Sequence, residues 1–494
     1  MIDSDQGFGR ARAWLFPIQT RELKTFLPMG LMMFFVLFNY TVLRDVKDTL
    51  VVGAAGGEAL SLIKLIGTVP GAVAIMLVYA KLSQVFSRRQ MFYIAVVPFM
   101  LFFGLFALVI YPNLSSLHPS ASLVEKIASD FPRFKTLAHV WGNWSYALFY
   151  VLAELWGSVI LSLLFWQTAN DIVAMKQAKR FYPLFGVIAN FGAIGAGLAL
   201  SYFSRVRQDL PAGMDPWGLS LNYLMGAVVL SCLGLMLTYW WISSTNELPE
   251  APLKQKKQKM SLTESFRYLI RSKHLGCISL LVICYGISIN VVEAVWKNEI
   301  KFVYGNLNDY SAFMGNFSIY MGLVTIAFMF LGGMIVRKFG WFVSASLTPI
   351  MIMVSGLLFF AFVSFKDALE PYTLSLLAAG PSVIAVWLGF GQNIMSKATK
   401  YSLFDPTKEM SYIPLDEESK LRGKAAVDVV GARLGKSGGA LIQQAFLFGT
   451  GLSLAELSPY LGAVVLIVVG AWLMAASALD KSIKGRAVPL QAAV

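Results

Sequence analysis

A single carboxylate lies in the middle of one long apolar segment. Glu154 is part of VLAELWGSVILSLLFW, and no basic residue lies within two helical turns of it. An ionised group near the centre of a bilayer is unfavourable by at least about 2.5–3.5 kcal/mol, so it must be paired or face a wet cavity. Ser158 and Ser162 continue its helical face. Glu154 is therefore either a structural partner of another helix or a residue that binds substrate or couples transport.

Two further charges have simpler local explanations. Lys64, in SLIKLIGTVPG, lies about one turn inside an apolar segment, so its amine could reach the membrane surface. Glu293, in ISINVVEAVWKNEI, precedes Lys297 by four residues, a spacing at which Glu and Lys pair on a helix. For both residues the alternative interpretation is the lining of a polar cavity.

The segment NYTVLRDVKDTLVV carries several charges at helical spacing. Tyr40, Arg44 and Lys47 share a face, and Asp48 follows Arg44 by one turn. These residues could form ion pairs that anchor the helix end, or they could line a cavity.

The segment GARLGKSGG, 431–439, looks at first like a phosphate-binding loop. Nucleotide hydrolases need Gly-x-x-x-x-Gly-Lys-Ser/Thr after a strand. Here only three residues separate Gly431 from Gly435, and the segment lies in an apolar run. Hydrolysis is therefore disfavoured, and the glycines instead indicate close helix packing.

Arg433 and Lys436 place two cations inside this run, and Asp428 is the only acid close to them in sequence. They require carboxylates from other helices, for which Glu154 and Glu293 are candidates, or an anionic ligand. Lysine offers a compact charge and arginine a bidentate fork, and both suit phosphate. The charges together predict a carrier for an organic anion.

The composition is that of an integral membrane protein. The 494 residues are 57% hydrophobic and 14% charged, with a mean hydropathy of +0.63, whereas soluble proteins have about 25% charged residues. The three histidines and three cysteines are scattered, which predicts neither a metal site nor a disulfide framework, and no cofactor. The net charge of +13 follows from topology, so it requires no nucleic-acid partner.

Apolar runs of about 20 residues predict an all-α protein with twelve transmembrane helices. Lys and Arg are concentrated in alternate connections, with 397–424 counted among the cytoplasmic ones, which places both termini in the cytoplasm. The fourth run is long enough to be tilted or bent. The runs are 27–46, 60–80, 91–111, 142–168, 182–203, 218–243, 276–298, 312–336, 341–364, 373–398, 424–449 and 457–479.

The basic stretch KQKKQK lies almost midway along the chain, with six runs on each side. VIANFGAIGAG in the first half aligns with VGARLGKSGGA in the second, which suggests a duplicated 6+6 transporter with its site between the halves. We predict a six-helix bundle with a short interfacial N-terminal segment at 1–243. A basic cytoplasmic linker with a short helix follows at 244–275, and a second bundle at 276–494.

Five stretches resemble the ATP/ADP translocases of obligate intracellular bacteria and plastids. They are NYTVLRDVKDTLVV, AELWGSVILSLLFWQTANDI, YGISINVVEAVWKNEIK, KYSLFDPTKEMSYIPLDEESKLRGKAA and DVVGARLGKSGGALIQQ. The resemblance covers residues 25–480. It implies a pseudo-two-fold fold similar to the major facilitator superfamily, and import of ATP against export of ADP. It also implies that the essential charges are Lys64, Glu154, Glu293 and Lys436.

The resemblance also implies a location and partners. The N-terminus lacks the transit peptide of plastid members, so we expect a bacterial inner membrane. ATP and ADP, with or without phosphate, and the lipid bilayer are the expected partners, and we expect the monomer to be functional.

These observations lead to a rocker-switch hypothesis. Phosphates bind Lys64, Lys436 and Arg433, with Arg44 and Lys47 as further candidates, and Glu154 and Glu293 neutralise these cations when no nucleotide is bound. The candidates for contact with adenine are Asn39, Tyr40, Asn290 and Trp296.

Three alternatives remain open. A proton-driven nucleotide importer would use Glu154 or Glu293 as its titrating group. A membrane ATP hydrolase would use GARLGKSGG. A structural or lipid-binding protein would leave the buried charges unexplained.

Overall fold

The computed structural model describes residues 16–205, 213–245, 271–416 and 431–491, with a few isolated positions between these ranges. The regular elements in these ranges are all helical. They are α1 (Thr20–Ala55), α2 (Glu58–Leu82), α3 (Arg88–Leu117), α4 (Ala121–Asp130), α5 (Lys135–Gly142), α6 (Trp144–Ile172), α7 (Met175–Phe203), α8 (Pro216–Thr245), α9 (Lys273–Val303), α10 (Leu307–Ser364), α11 (Lys366–Leu377), α12 (Pro381–Met410), α13 (Ala432–Thr450) and α14 (Ser458–Gln491).

Nine helices in the described ranges are long and apolar enough to cross a membrane, and the bent pair α11–α12 would make a tenth. The predicted all-α membrane protein is thereby confirmed. The count of twelve spans stays a prediction, because α10 contains two of the predicted runs and α13, which covers the eleventh, is not among the nine.

The helix α10 is interrupted at Gly340. Its 58 residues would extend about 87 Å as one straight helix, far beyond the ~30 Å core of a bilayer. Gly340 has φ 76° and ψ −179°, a conformation that residues with a side chain rarely adopt. The chain turns there, between the predicted runs 312–336 and 341–364.

The predicted tenth run, 373–398, has the wrong bounds. α11 ends at Leu377, Ala378 has a left-handed φ of 51°, and α12 begins at Pro381 at 84° to α11. Apolar residues continue through this break, so hydropathy does not reveal it. α12 then runs on to Met410, which places Lys397 inside a helix and not in a cytoplasmic loop.

Two apolar cores underlie the two halves of the chain. One is formed by buried residues between Ile18 and Ile242. The other is formed mainly by residues 269–479, and it also includes first-half residues near the end of α1 and the start of α2, such as Val51 and Leu60. The halves therefore share apolar packing where α1 gives way to α2.

We call this side of the molecule the Ala55 end and the opposite side the Thr20 end. At the Ala55 end, α7 and α10 approach closely, since a Cβ at Gly197 would lie 2.5 Å from the Gly315 carbonyl oxygen. Ser204 Oγ lies 2.9 Å from Ser311 Oγ across the same interface. Gln444 of α13 donates to Ser61 of α2 at 2.6 Å. Small and polar side chains thus join the halves at this end.

Two predicted segments fall partly outside the described ranges. Residues 1–15 and most of the linker 244–275, including the predicted short helix, are outside them. Residues 16–19 are not helical, and Arg180 of α7 binds both the Pro17 carbonyl at 2.6 Å and the Glu22 carboxylate. The described part of the N-terminal segment is therefore held against α7 and does not form a separate surface helix.

Candidate functional site

The structure brings nine ionisable residues together between the halves, and we call them the charge cluster. Counted along their helices at 1.5 Å per residue, Arg44, Lys64 and Glu293 lie about 9–16 Å from the Ala55 end. The cluster contains five cations and four carboxylates: Arg44, Asp45, Lys47 and Asp48 on α1, Lys64 on α2, Glu154 on α6, Glu293 and Lys297 on α9, and Lys397 on α12.

Asp48 joins the two halves directly. Its carboxylate lies 2.8 Å from the amine of Lys47 on the same helix and 2.8 Å from the amine of Lys297 on α9. All three side chains are buried, with at most 5% of each exposed. Buried charges this close together stabilise one another only while every partner is present.

Lys47 also connects Asp48 to Glu154. Its amine lies 3.0 Å from Glu154 Oε1 and 3.8 Å from the centre of the Tyr150 ring. The Glu154 side chain is 25% exposed, more than the other partners of Lys47. Glu154 is therefore both a partner of another helix and accessible from a cavity, so the two sequence interpretations are compatible.

A second junction between the halves surrounds Asp45. Arg44 pairs with Asp45 at 2.8 Å and donates to Ser318 of α10 at 2.7 Å, and Ser318 donates to Asp45 at 2.6 Å. The charged end of α1 therefore contacts α10 and α9 within the protein. The interpretation of these charges as anchors at the membrane surface is wrong.

Lys64 turns into the protein and not toward the membrane surface. Its amine donates to Asn290 Oδ1 on α9 at 2.7 Å, and the structure shows no ion pair for it among the described residues. A small cavity beside it, with room for about one water molecule (≈ 10 Å³), is lined by Asn290, Glu293, Lys297 and Gln443. Lys64 is thus a buried cation with a neutral partner.

Glu293 is shared by two lysines. Its Oε1 lies 3.4 Å from Lys297, the predicted local partner, and 3.5 Å from Lys397 of α12. Lys297 is nearer to Asp48, at 2.8 Å. The local pair therefore exists, but it is one link in a longer chain of charges.

Three of the helices that carry the cluster contain π-helical turns next to it. These are Lys64–Thr68 in α2, Gly157–Phe165 in α6 and Lys400–Phe404 in α12. A π-turn inserts a residue into the helical repeat and is frequent at functional sites. Gly157 also allows Tyr40 to pack against α6, since a Cβ there would lie 2.7 Å from Tyr40 Cε2.

Some predicted site residues do not join the cluster. Arg433 is exposed and contacts Met76 Sδ at 3.4 Å, because it lies near the start of α13 at the Thr20 end. Asn39 is buried and donates to Cys232, and Trp296 is fully buried and donates to the Val386 carbonyl. Asp428 and the side chain of Lys436 lie outside what the structure describes.

Sequence reasoning missed Lys397 and gave Asp45 no role. Lys397 was assigned to a loop, and its position within α12 could have been recognised only from the Gly380–Pro381 helix start. In the described ranges, no group of three His, Cys, Asp or Glu residues could hold a metal ion.

A carrier with a buried, mainly basic cluster between two helical halves matches a known family. The family model for TLC ATP/ADP transporters covers residues 1–483. The chain belongs to this family. It is 48% identical to ADP,ATP carrier protein 1 of Chlamydia pneumoniae over 97% of this chain and 95% of the relative. It is 42% identical to ADP,ATP carrier protein 1 of Rickettsia bellii over 97% of each.

A plant relative is also similar, the chloroplastic ADP,ATP carrier protein 1 of Arabidopsis thaliana, at 45% identity over 94% of this chain and 75% of the relative. The predicted family is thus confirmed. As a member of it, the protein is a membrane transporter and not an enzyme.

Solved structures show the fold. A bacterial homologue of the iron transporter ferroportin in an inward-facing state has a TM-score of 0.57 at 16% identity, over 94% of this chain and 99% of that one. A D-xylose–proton symporter has 0.56 at 16%, over 92% and 97%, and the nucleoside transporter NupG has 0.55 at 13%, over 93% and 99%. The predicted similarity to the major facilitator fold is confirmed.

Proposed function

We propose that this protein exchanges ATP for ADP across a membrane by alternating access, taking up ATP and releasing ADP. The relatives that match nearly the full chain are named ADP,ATP carriers. The observation that supports the same role in this chain is the charge cluster, in which five cations meet four carboxylates between the halves. Its surplus of positive charge suits an anionic substrate.

Lys64, Glu154, Glu293 and Lys436 would carry the exchange. A phosphate chain would bind Lys64 and Lys436, with Arg44 and Lys47 close by, and would compete with Glu154 and Glu293 for the cluster's cations. Lys64 has a neutral partner in Asn290, so it is the cation of the cluster that a phosphate could bind without displacing a carboxylate. A buried cation without an anion is unfavourable, which would discourage return of the carrier without nucleotide.

The exchange would respond to membrane voltage. ATP with four negative charges against ADP with three moves one net charge, equivalent to about 2.3 kcal/mol per 100 mV. Phosphate that travels with ADP would cancel this movement.

The orientation follows from the basic loops. We propose that the protein lies in a bacterial inner membrane with both termini in the cytoplasm, so that the Ala55 end faces outward. We further propose that it functions as a monomer.

The decisive experiment is uptake of labelled ATP into liposomes that contain the purified protein. The vesicles are preloaded with ADP, with another nucleotide or with buffer, with and without an uncoupler. Exchange requires uptake that depends on internal ADP. Uptake into buffer-loaded vesicles that an uncoupler abolishes would instead identify a proton-driven importer.

Lys436→Ala provides the matched test of the site. We expect the variant to elute as a folded protein but to lose ATP uptake, because a cation that binds phosphate has been removed. Lys436→Arg keeps the charge and changes its geometry. Uptake at the wild-type level in Lys436→Ala would exclude a role for Lys436 in phosphate binding.

A further inference from the structure

We propose that Lys397 of α12 is a further ligand of the phosphate chain, and that phosphate occupies the position now held by the Glu293 carboxylate. This inference rests on the proposed nucleotide exchange and adds a residue from a helix that the sequence interpretation did not connect to the site.

The surroundings of Glu293 are those of a bound anion. Its Oε1 is shared between Lys297 at 3.4 Å and Lys397 at 3.5 Å, one on each side. The charge of Glu293 also interacts with those of Lys64 and Arg44. One carboxylate therefore faces four cations from α1, α2, α9 and α12, an arrangement that a chain of several phosphates would satisfy better.

Lys397 is the more loosely bound of the two lysines beside Glu293. Lys297 is held by Asp48 at 2.8 Å and only 5% of its side chain is exposed. The one ion pair that the structure shows for Lys397 among the described residues is the 3.5 Å contact, and 16% of its side chain is exposed. Below its amine lies the ring of Phe317, with the centroid 5.1 Å away. Lys397 can therefore change partners without disturbing the bridge at Asp48.

Lys397 also lies on the side from which a ligand could arrive. It follows Pro381 by 16 residues, so its Cα is about 24 Å from the Ala55 end, deeper than Glu293. Side chains lean toward the N-terminus of their helix, and in α12 this points the amine back to Glu293. Asp48, Lys47 and Lys297 close the cluster on the Ala55 side. A nucleotide from the Thr20 end would meet Lys397 early.

The next lysine on the same helix provides a matched control. Lys400 has its own carboxylate, Asp405, at 2.8 Å, and stands over the Tyr401 ring at 4.4 Å. It carries the same charge one turn further from the cluster. A contact specific to phosphate should depend on Lys397 and not on Lys400.

The test compares how unlabelled ATP, ADP and AMP inhibit uptake of labelled ATP by ADP-loaded proteoliposomes. In Lys397→Gln we expect the half-inhibitory concentration of ATP to rise about tenfold or more, the size of a lost contact between a charged donor and an anion. AMP should change by less than about threefold, because it lacks the outer phosphates. Lys397→Arg should restore ATP inhibition, and Lys400→Gln should resemble the wild type.

The outcomes separate the two proposals. Wild-type vesicles without ADP-dependent uptake would overturn the exchange function itself. Wild-type exchange with unchanged ATP inhibition in Lys397→Gln would overturn only the role of Lys397. So would an equal loss for ATP, ADP and AMP, or the same loss in Lys400→Gln. Lys397→Met, which keeps a long side chain without charge, repeats the comparison if the glutamine variant does not elute as a folded protein.

Discussion

Asp48 binds one lysine from each half, and this predicts an effect on stability as well as on transport. In Asp48→Asn, Lys47 keeps Glu154 and Lys297 keeps Glu293 at 3.4 Å, so neither cation is left entirely alone. We therefore expect a loss near the lower end of the range for broken buried ion pairs, about 3 kcal/mol. Thermal unfolding of the purified protein in detergent measures it.

The double variant Asp48→Asn/Lys297→Gln is the control for this prediction. It removes one charge of each sign, so the balance of the cluster is restored, and we expect it to recover at least about 1 kcal/mol relative to the sum of the single variants. Strictly additive losses would mean that the 2.8 Å contact between Asp48 and Lys297 contributes nothing to stability.

At the residue scale, the cost of burying charge made much of the cluster recognisable from the sequence. Lys47, Lys64, Glu154 and Glu293 were selected because each lies in an apolar segment, and the structure brings them together. The pairing could not be predicted, because it depends on which helices are neighbours. Lys297 was assigned to Glu293, four residues away, yet its nearest carboxylate belongs to Asp48 on the first helix.

At the element scale, the glycines of GARLGKSGG form the contact that their spacing predicts. A Cβ at Gly286 of α9 would lie 2.7 Å from the backbone of Gly435, and a Cβ at Gly439 would lie 2.9 Å from Asn290 Cβ. The sequence predicted that α13 would pack closely, but not against which helix. The contact places α13 beside Asn290, the partner of Lys64.

Gly286→Ala tests this crossing. The added methyl group would meet backbone and not a flexible side chain, so α9 and α13 must separate. We expect a loss of about 1–3 kcal/mol in stability, with reduced ATP uptake because Asn290 and α13 shift together. Gly333→Ala is the matched control, since nothing lies within 4 Å of a Cβ there. A Gly286→Ala variant as stable and active as Gly333→Ala would contradict the close crossing.

At the scale of the whole molecule, the basic linker and the paired apolar runs were enough to predict two halves. Sequence patterns could not show which end of the molecule joins them, because that depends on how the halves are placed. The structure joins them at the Ala55 end through Ser204 and Ser311 and through Gly197 and Gly315. Alternating access requires this interface to open in each cycle.

A disulfide across the interface should therefore stop transport. Ser204 Oγ and Ser311 Oγ are 2.9 Å apart and belong to different halves, so cysteines at both positions should form a bond on oxidation. We expect ADP-dependent ATP uptake to fall by at least about tenfold and to return with reductant. The native cysteines, Cys232, Cys277 and Cys284, are unpaired and are replaced by alanine for this experiment.

A second serine pair separates locking from mere cross-linking. Ser364 Oγ and Ser458 Oγ are also 2.9 Å apart, at the same end of the molecule, but both belong to the second half. A disulfide between cysteines at these positions should leave uptake unchanged, because a half that moves as a unit does not strain it. If the bond between positions 204 and 311 forms completely and exchange continues, the Ala55 end does not open during transport. Inhibition by both bonds would show instead that the second half itself must deform.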